Sequence, residues 1–165
     1  MITLYHGSNV SIKEIDLSMG QRNKDFGKGF YLTDIRGQAL AMAERKVALV
    51  SEKRDDGFRP IVTSFYFDDE VLKTDVLKVL WFESANAEWA EFIAKNRMAS
   101  RTGFSHDYDM VYGPVANDGV FDQLRRYMRG MITADQLAKE LQYTKLNNQY
   151  FFGTERSLKY LRRKE

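Results

Sequence analysis

The chain predicts a mixed α+β fold in a single domain, and three observations carry that prediction. Its 165 residues are 44% hydrophobic, enough for one sizeable core and too few for several. Short runs rich in β-branched and aromatic residues alternate with stretches whose apolar residues recur at helical spacing. No linker separates them: Pro60 and Pro114 are the only prolines, and neither an internal repeat nor a low-complexity tract interrupts the pattern. The pattern leaves parallel and antiparallel pairing open.

Each element has its own signal. Ile2–His6 reads as a first strand, and Gly29–Thr33 as a second after a polar, glycine-bearing loop. Thr33 or Asp34 is placed to cap a helix with Leu40, Ala43, Val47 and Val50 on its apolar face. Lys53–Arg59 is a charged loop with an Asp56-Gly57 turn, and Ile61–Phe67 is a buried strand. Asp75–Trp81 reads as another strand. Asn86 precedes a helix with acidic residues in its first turn, in which Trp89, Phe92 and Ile93 take core spacing. Asp109–Val115 reads as a strand, followed by a helix that ends near Gly130. Thr133-Ala134-Asp135-Gln136 matches a capping box. Asn148–Phe152 reads as a strand, and Thr154 caps a final helix through Leu161.

Composition excludes several chemistries. With no cysteine there is no disulfide, thiolate metal site or cysteine nucleophile. Two histidines far apart argue against a histidine zinc site, and His106-Asp107-Tyr108-Asp109 reads as a solvated turn. Lys28-Gly29 lacks the hydroxyl residue and the spacing of a triphosphate-binding loop. The start of the chain has no basic segment leading into a long apolar one, and no apolar run reaches membrane-spanning length. A cytoplasmic protein without membrane association is therefore expected. The net charge of +2 is too small to call for nucleic acid. The basic runs Arg125–Arg129 and Arg156–Lys164 read as solvated helix faces.

Two segments stand out, Tyr5-His6-Gly7-Ser8 and Asp25-Phe26-Gly27-Lys28-Gly29-Phe30-Tyr31-Leu32-Thr33. Each sets glycine beside a polar or aromatic residue, where a ligand or a second strand can approach the backbone closely. On neighbouring strands, His-Gly and Gly-Phe-Tyr would form a slot for a flat polar ring. Together they resemble the first two motifs of the ADP-ribosyltransferases of the diphtheria-toxin and poly-ADP-ribose-polymerase branch. Asp25–Tyr31, Gly113–Asp118 and Gln149–Glu155 in that order are similar to a bacterial group of unassigned function within that superfamily.

The resemblance implies an ADP-ribosyltransferase-like fold, with split small β-sheets and flanking helices enclosing an NAD cleft. It implies NAD as substrate and transfer of ADP-ribose to a protein or nucleic-acid acceptor, as in a toxin or phage-defence effector with an antitoxin partner. His6 would bond a ribose hydroxyl, Gly7 the nicotinamide carboxamide, and Tyr31 would offer its ring, opposite His6, to the nicotinamide. Ser8, Gly29, Phe30 and Asn117 would complete the NAD contacts. The position of the usual catalytic glutamate falls on Gln149, whose amide holds a hydroxyl but neither takes a proton nor balances a cation. Glu155 and Asp118 are the alternative acids. Glu155 also reads simply as a first-turn acid favoured by the helix dipole. A second stacking tyrosine has no counterpart; Met42 stands nearby in sequence. Two other classes stay open: a non-catalytic module for NAD or ADP-ribose, and an interaction or nucleic-acid-binding domain using the basic C-terminal helix.

Overall fold

A computed structural model describes residues 1–51, 58–116, 120–142 and 144–165. Strand β1 (Ile2–Ser8) pairs antiparallel with β3 (Ile61–Phe67), which pairs antiparallel with β7 (Leu161–Arg163). The second sheet has the order β2-β6-β5-β4, from Phe30–Leu32, Asn147–Phe152, Met110–Val115 and Val79–Trp81. Its pairings are antiparallel except β4 with β5. The expected turn at Asp56-Gly57 lies outside the described residues.

Strand periodicity splits the core into two layers. On one face of the four-stranded sheet, Leu32, Met110, Tyr150 and Phe152 meet Leu4, Phe65 and Phe67 of the three-stranded sheet. On its other face, Val111 and Phe151 pack under three helices, α2 (Ala87–Arg97), α4 (Phe121–Met128) and α5 (Ala134–Leu141). Helix α1 (Arg36–Ser51) covers β1 from outside. The molecule is thus an α+β stack with two small sheets at its centre.

Two of the expected caps form, while the first helix begins at Arg36, past the Thr33-Asp34 pair, with the Ile35 carbonyl accepting its first N–H groups. Asn86 Oδ1 accepts the Trp89 N–H at 2.8 Å, and the Thr133–Gln136 capping box forms with both bonds in place. Trp89 is fully buried because its indole N–H finds the Pro114 carbonyl at 2.7 Å. The short helix α3 (Ala99–Thr102) ends on Gly103 in the left-handed region, at φ 72°.

Three expectations change. Of Asp75–Trp81 only the last three residues pair, because the Lys78 N–H is turned to the Asp109 carboxylate at 2.7 Å. The final helix stops at α6 (Glu155–Leu158), and the basic run continues as β7. Arg162 and Lys164 there lie over the Tyr66 ring, at 5.6 and 5.1 Å from its centroid, so no basic C-terminal helix exists. Asp109 is no solvated turn residue: it is 1% exposed and also accepts from Thr154 Oγ1 (2.6 Å) and Arg156 Nη2 (2.5 Å).

Burial opposes ionisation of Asp109, but the Arg156, Thr154 and Lys78 donors outweigh it and hold the carboxyl below its usual value. Its folded pKa being depressed, the stabilisation is full above the unfolded value of about 4 and fades as pH falls below it. Arg156 is half exposed, so solvent screening reduces what its pairing with Asp109 contributes to stability. Asp109→Asn should lower unfolding free energy at neutral pH by about 1–3 kcal/mol, measured by urea denaturation. An unchanged midpoint would remove Asp109 from this role.

Candidate functional site

The sheets part where β1 leaves β2, and His6 stands at the parting. Their only backbone link among the described residues is the Tyr5–Thr33 bridge, with N···O distances of 2.7 and 3.0 Å. The next bonded partner of Tyr31 would ordinarily be the Gly7 amide. Instead the Tyr31 carbonyl takes the His6 Nδ1–H at 2.8 Å. A carbonyl only accepts, so the proton sits on Nδ1 and the Nε2 lone pair is left as an acceptor. Burial is the main cause that lowers the His6 pKa to about 4, and the nearby Lys46 ammonium adds to it, so the ring is neutral at pH 7.

Gly7 serves two purposes. Its missing side chain lets α1 come close: a Cβ there would lie 1.8 Å from the Ala39 carbonyl oxygen. Strand alternation turns its N–H and C=O to the same edge as those of Tyr5, beyond the last bridge. Ser8 is buried beside it, its hydroxyl near Asn9 Oδ1 at 3.4 Å. Lys46 of α1 is half-buried and forms no ion pair among the described residues; burial first, then Lys24, pulls its pKa down. Two lysines thus give this edge a positive potential.

The aromatic wall is not the expected one. Phe30 stacks on His6 with centroids 4.6 Å apart and planes at 23°. Tyr31 points the other way because neighbouring strand residues alternate. Its ring lies against Phe26 (6.2 Å) and Phe151 (5.2 Å) on the helix side. Its hydroxyl donates to the Gly27 carbonyl at 2.7 Å and accepts from the Phe26 N–H at 3.1 Å. Tyr31 therefore meets His6 through its carbonyl, and its side chain ties down the 25–27 turn.

That turn gathers the distant motifs. Asp25, 6% exposed, takes Arg97 of α2 at 2.6 Å and the Ala116 N–H after β5 at 2.7 Å. Gly27 has φ 91°, which favours glycine, and a Cβ would also meet Asn96 Oδ1 at 2.9 Å. Gly29 makes room for β6, since a Cβ would lie 2.3 Å from the Phe151 ring.

Gln149 sits on β6 opposite Gly113, one residue beyond the Leu32–Tyr150 pair and so alongside Thr33. Alternation puts it on the face of Phe151 and Tyr31; it is half-buried and no described residue hydrogen-bonds its side chain. Glu155 is not brought to it. It lies past the far end of β6, exposed in the first turn of α6, separated by roughly 10 Å of strand. Asn117 and Asp118 lie outside the described residues. Among those described, no group of three or more His, Asp or Glu side chains could hold a metal ion. No described helix is long and apolar enough to cross a membrane.

Sequence reasoning missed Lys46, Arg97 and Asn96. Only the Asp25 motif hinted at a buried cationic partner, since a buried carboxylate needs one. Over residues 2–163 the chain matches the family described as Protein of unknown function (DUF3990), and it belongs to that family. No curated protein matches it.

His6 makes a pH prediction. Its folded pKa is below the unfolded value near 6.5, so falling pH protonates the unfolded chain first. Stability is full above pH 6.5 and is lost progressively toward pH 4, by up to about 3 kcal/mol. His106, also lowered chiefly by burial, is the other histidine contributing. His6→Gln should reduce the slope of unfolding free energy between pH 6.5 and 5. An equal slope in both proteins would mean the imidazole is not held neutral.

Proposed function

We propose that this DUF3990 protein binds NAD along the edge between β1 and β2 and transfers its ADP-ribose to a macromolecular acceptor. The observation that carries the reading is the His6 arrangement: a neutral imidazole, fixed by Tyr31, presents an acceptor lone pair beside the edge amide of Gly7. A ribose hydroxyl is the matching donor for Nε2. The Gly7 N–H and C=O match the acceptor and donor of a carboxamide. Lys46 and Lys24 suit a diphosphate, which carries charge and no donor of its own. The resemblance of the three ordered motifs supports the same assignment, including an ADP-ribosyltransferase-like fold.

In the transfer, the bond between ribose and nicotinamide nitrogen breaks with its electron pair leaving on nicotinamide. The acceptor's lone pair forms the new bond to the sugar carbon and the acceptor loses a proton. The sugar carries positive charge between the two events, as in glycoside hydrolysis. The resemblance assigns the polar partner of that sugar to Gln149, whose neutral amide would supply no negative charge to the cation. Slow turnover follows, with the proton leaving to solvent or to the acceptor's own surroundings. The same residue favours one second reading, a module that binds NAD or ADP-ribose without reacting it.

A thermal-shift titration with NAD, followed by mass spectrometry for nicotinamide, tests both. The expected result is a dose-dependent rise in melting temperature, abolished by His6→Ala, with slow nicotinamide release. Gln149→Glu should speed that release at least tenfold if the position faces the reacting sugar. Binding without release in either protein would leave only the non-catalytic module. No binding at all would end the NAD assignment.

A further inference from the structure

On the other side of the 22–28 loop, away from His6, lies a cavity of about 340 Å³, at the lower end of the ~300–1,000 Å³ that small-molecule sites occupy. Its composition is specific in three respects. Glycines 27, 103 and 153 leave stretches of its wall as bare backbone. Two cations stand on it, Arg22 and Lys28, both exposed and without an ion pair among the described residues; Asp16 is only within electrostatic reach of Lys28. Its rings are His106, Tyr108, Phe104 and Phe151.

The polar groups inside are mostly spent, which defines what is left for a ligand. His106 Nε2–H donates to the Phe26 carbonyl at 2.7 Å, and its Nδ1 accepts the Tyr108 N–H at 3.2 Å. The Thr154 hydroxyl is given to Asp109. Asn96 is 2% exposed and uses its amide N–H on the Phe92 carbonyl at 2.9 Å. The Asn96 carbonyl oxygen, beside Gly27, remains as an acceptor within the cavity wall. A fitting ligand is therefore flat, carries a donor for Asn96 and bears negative charge for Arg22 and Lys28.

We propose that this cavity is a second ligand site, distinct from the His6 edge, that takes a phosphomonoester of a planar ring compound of the nucleoside monophosphate class. The ring lies among the aromatic walls with a donor on Asn96, and the phosphate sits at the Arg22–Lys28 rim. The proposal does not depend on the NAD reading.

Calorimetric titration of the full chain with adenosine monophosphate, adenosine and inorganic phosphate tests it. Adenosine monophosphate should bind, more weakly as salt is raised, with adenosine and phosphate each at least tenfold weaker. Arg22→Ala removes a rim cation, and Ser105→Trp fills the cavity from an exposed loop position; each should weaken adenosine monophosphate tenfold or more. His6→Ala should leave that affinity unchanged. Absence of binding, phosphate binding as tightly as the nucleotide, or loss in His6→Ala with retention in Arg22→Ala would each overturn the proposal. Because Arg22 is exposed, its variant decides the matter even where Ser105→Trp fails to fold.

Discussion

The buried carboxylate of Asp25 is the constraint on which the rest of the molecule leans. It accepts Arg97 from the helix layer and the Ala116 amide at the end of β5, so one side chain joins three segments remote in sequence. A carboxylate so buried is tolerable only with such partners. Once it is fixed, Phe26 is driven into the helix-side core and Gly27 turns through the left-handed region. The Tyr31 hydroxyl then closes over that turn, and the start of β2 is set. The position of the His6 imidazole follows, since its partner is the Tyr31 carbonyl.

This chain of dependence changes how the glycine-rich motifs are understood. Much of their composition serves internal fit: Gly7 admits a helix, Gly29 a strand, and Gly113 the Phe82 side chain at 2.7 Å from its would-be Cβ. What remains for a ligand is the edge of backbone left where β1 and β2 part, with His6 and Phe30 beside it. That open edge arises from a pairing that β1 and β2 do not continue past the Tyr5–Thr33 bridge.

The strands and capped helices were legible because period and caps are local properties. Ile61–Phe67, the Asn86 helix and the Thr133 capping box needed no knowledge of their neighbours. The C-terminal strand was not legible, because Arg162, Arg163 and Lys164 suit a solvated helix as well as an edge strand, and only the free side of β3 decides between them. In the candidate site, His6, Gly7 and Phe30 stand out in the sequence because glycines flank them. Which way Tyr31 faced depended on register, a one-residue matter that composition does not encode. Lys46 and Asn96 lie on helices whose orientation comes from packing, so nothing near them in sequence drew attention.

The same basic C-terminus has a bearing on how the protein behaves in company. In the three-stranded sheet, β1 runs beside β2 at one border, and β7 forms the open border at the other. An open border of unpaired amides invites a strand from another molecule. Here it is only three residues long and carries Arg162 and Arg163, followed by Lys164, with two of these cations drawn over Tyr66. A second copy approaching edge to edge would meet its own charge, so that border resists the growth of a shared sheet between molecules.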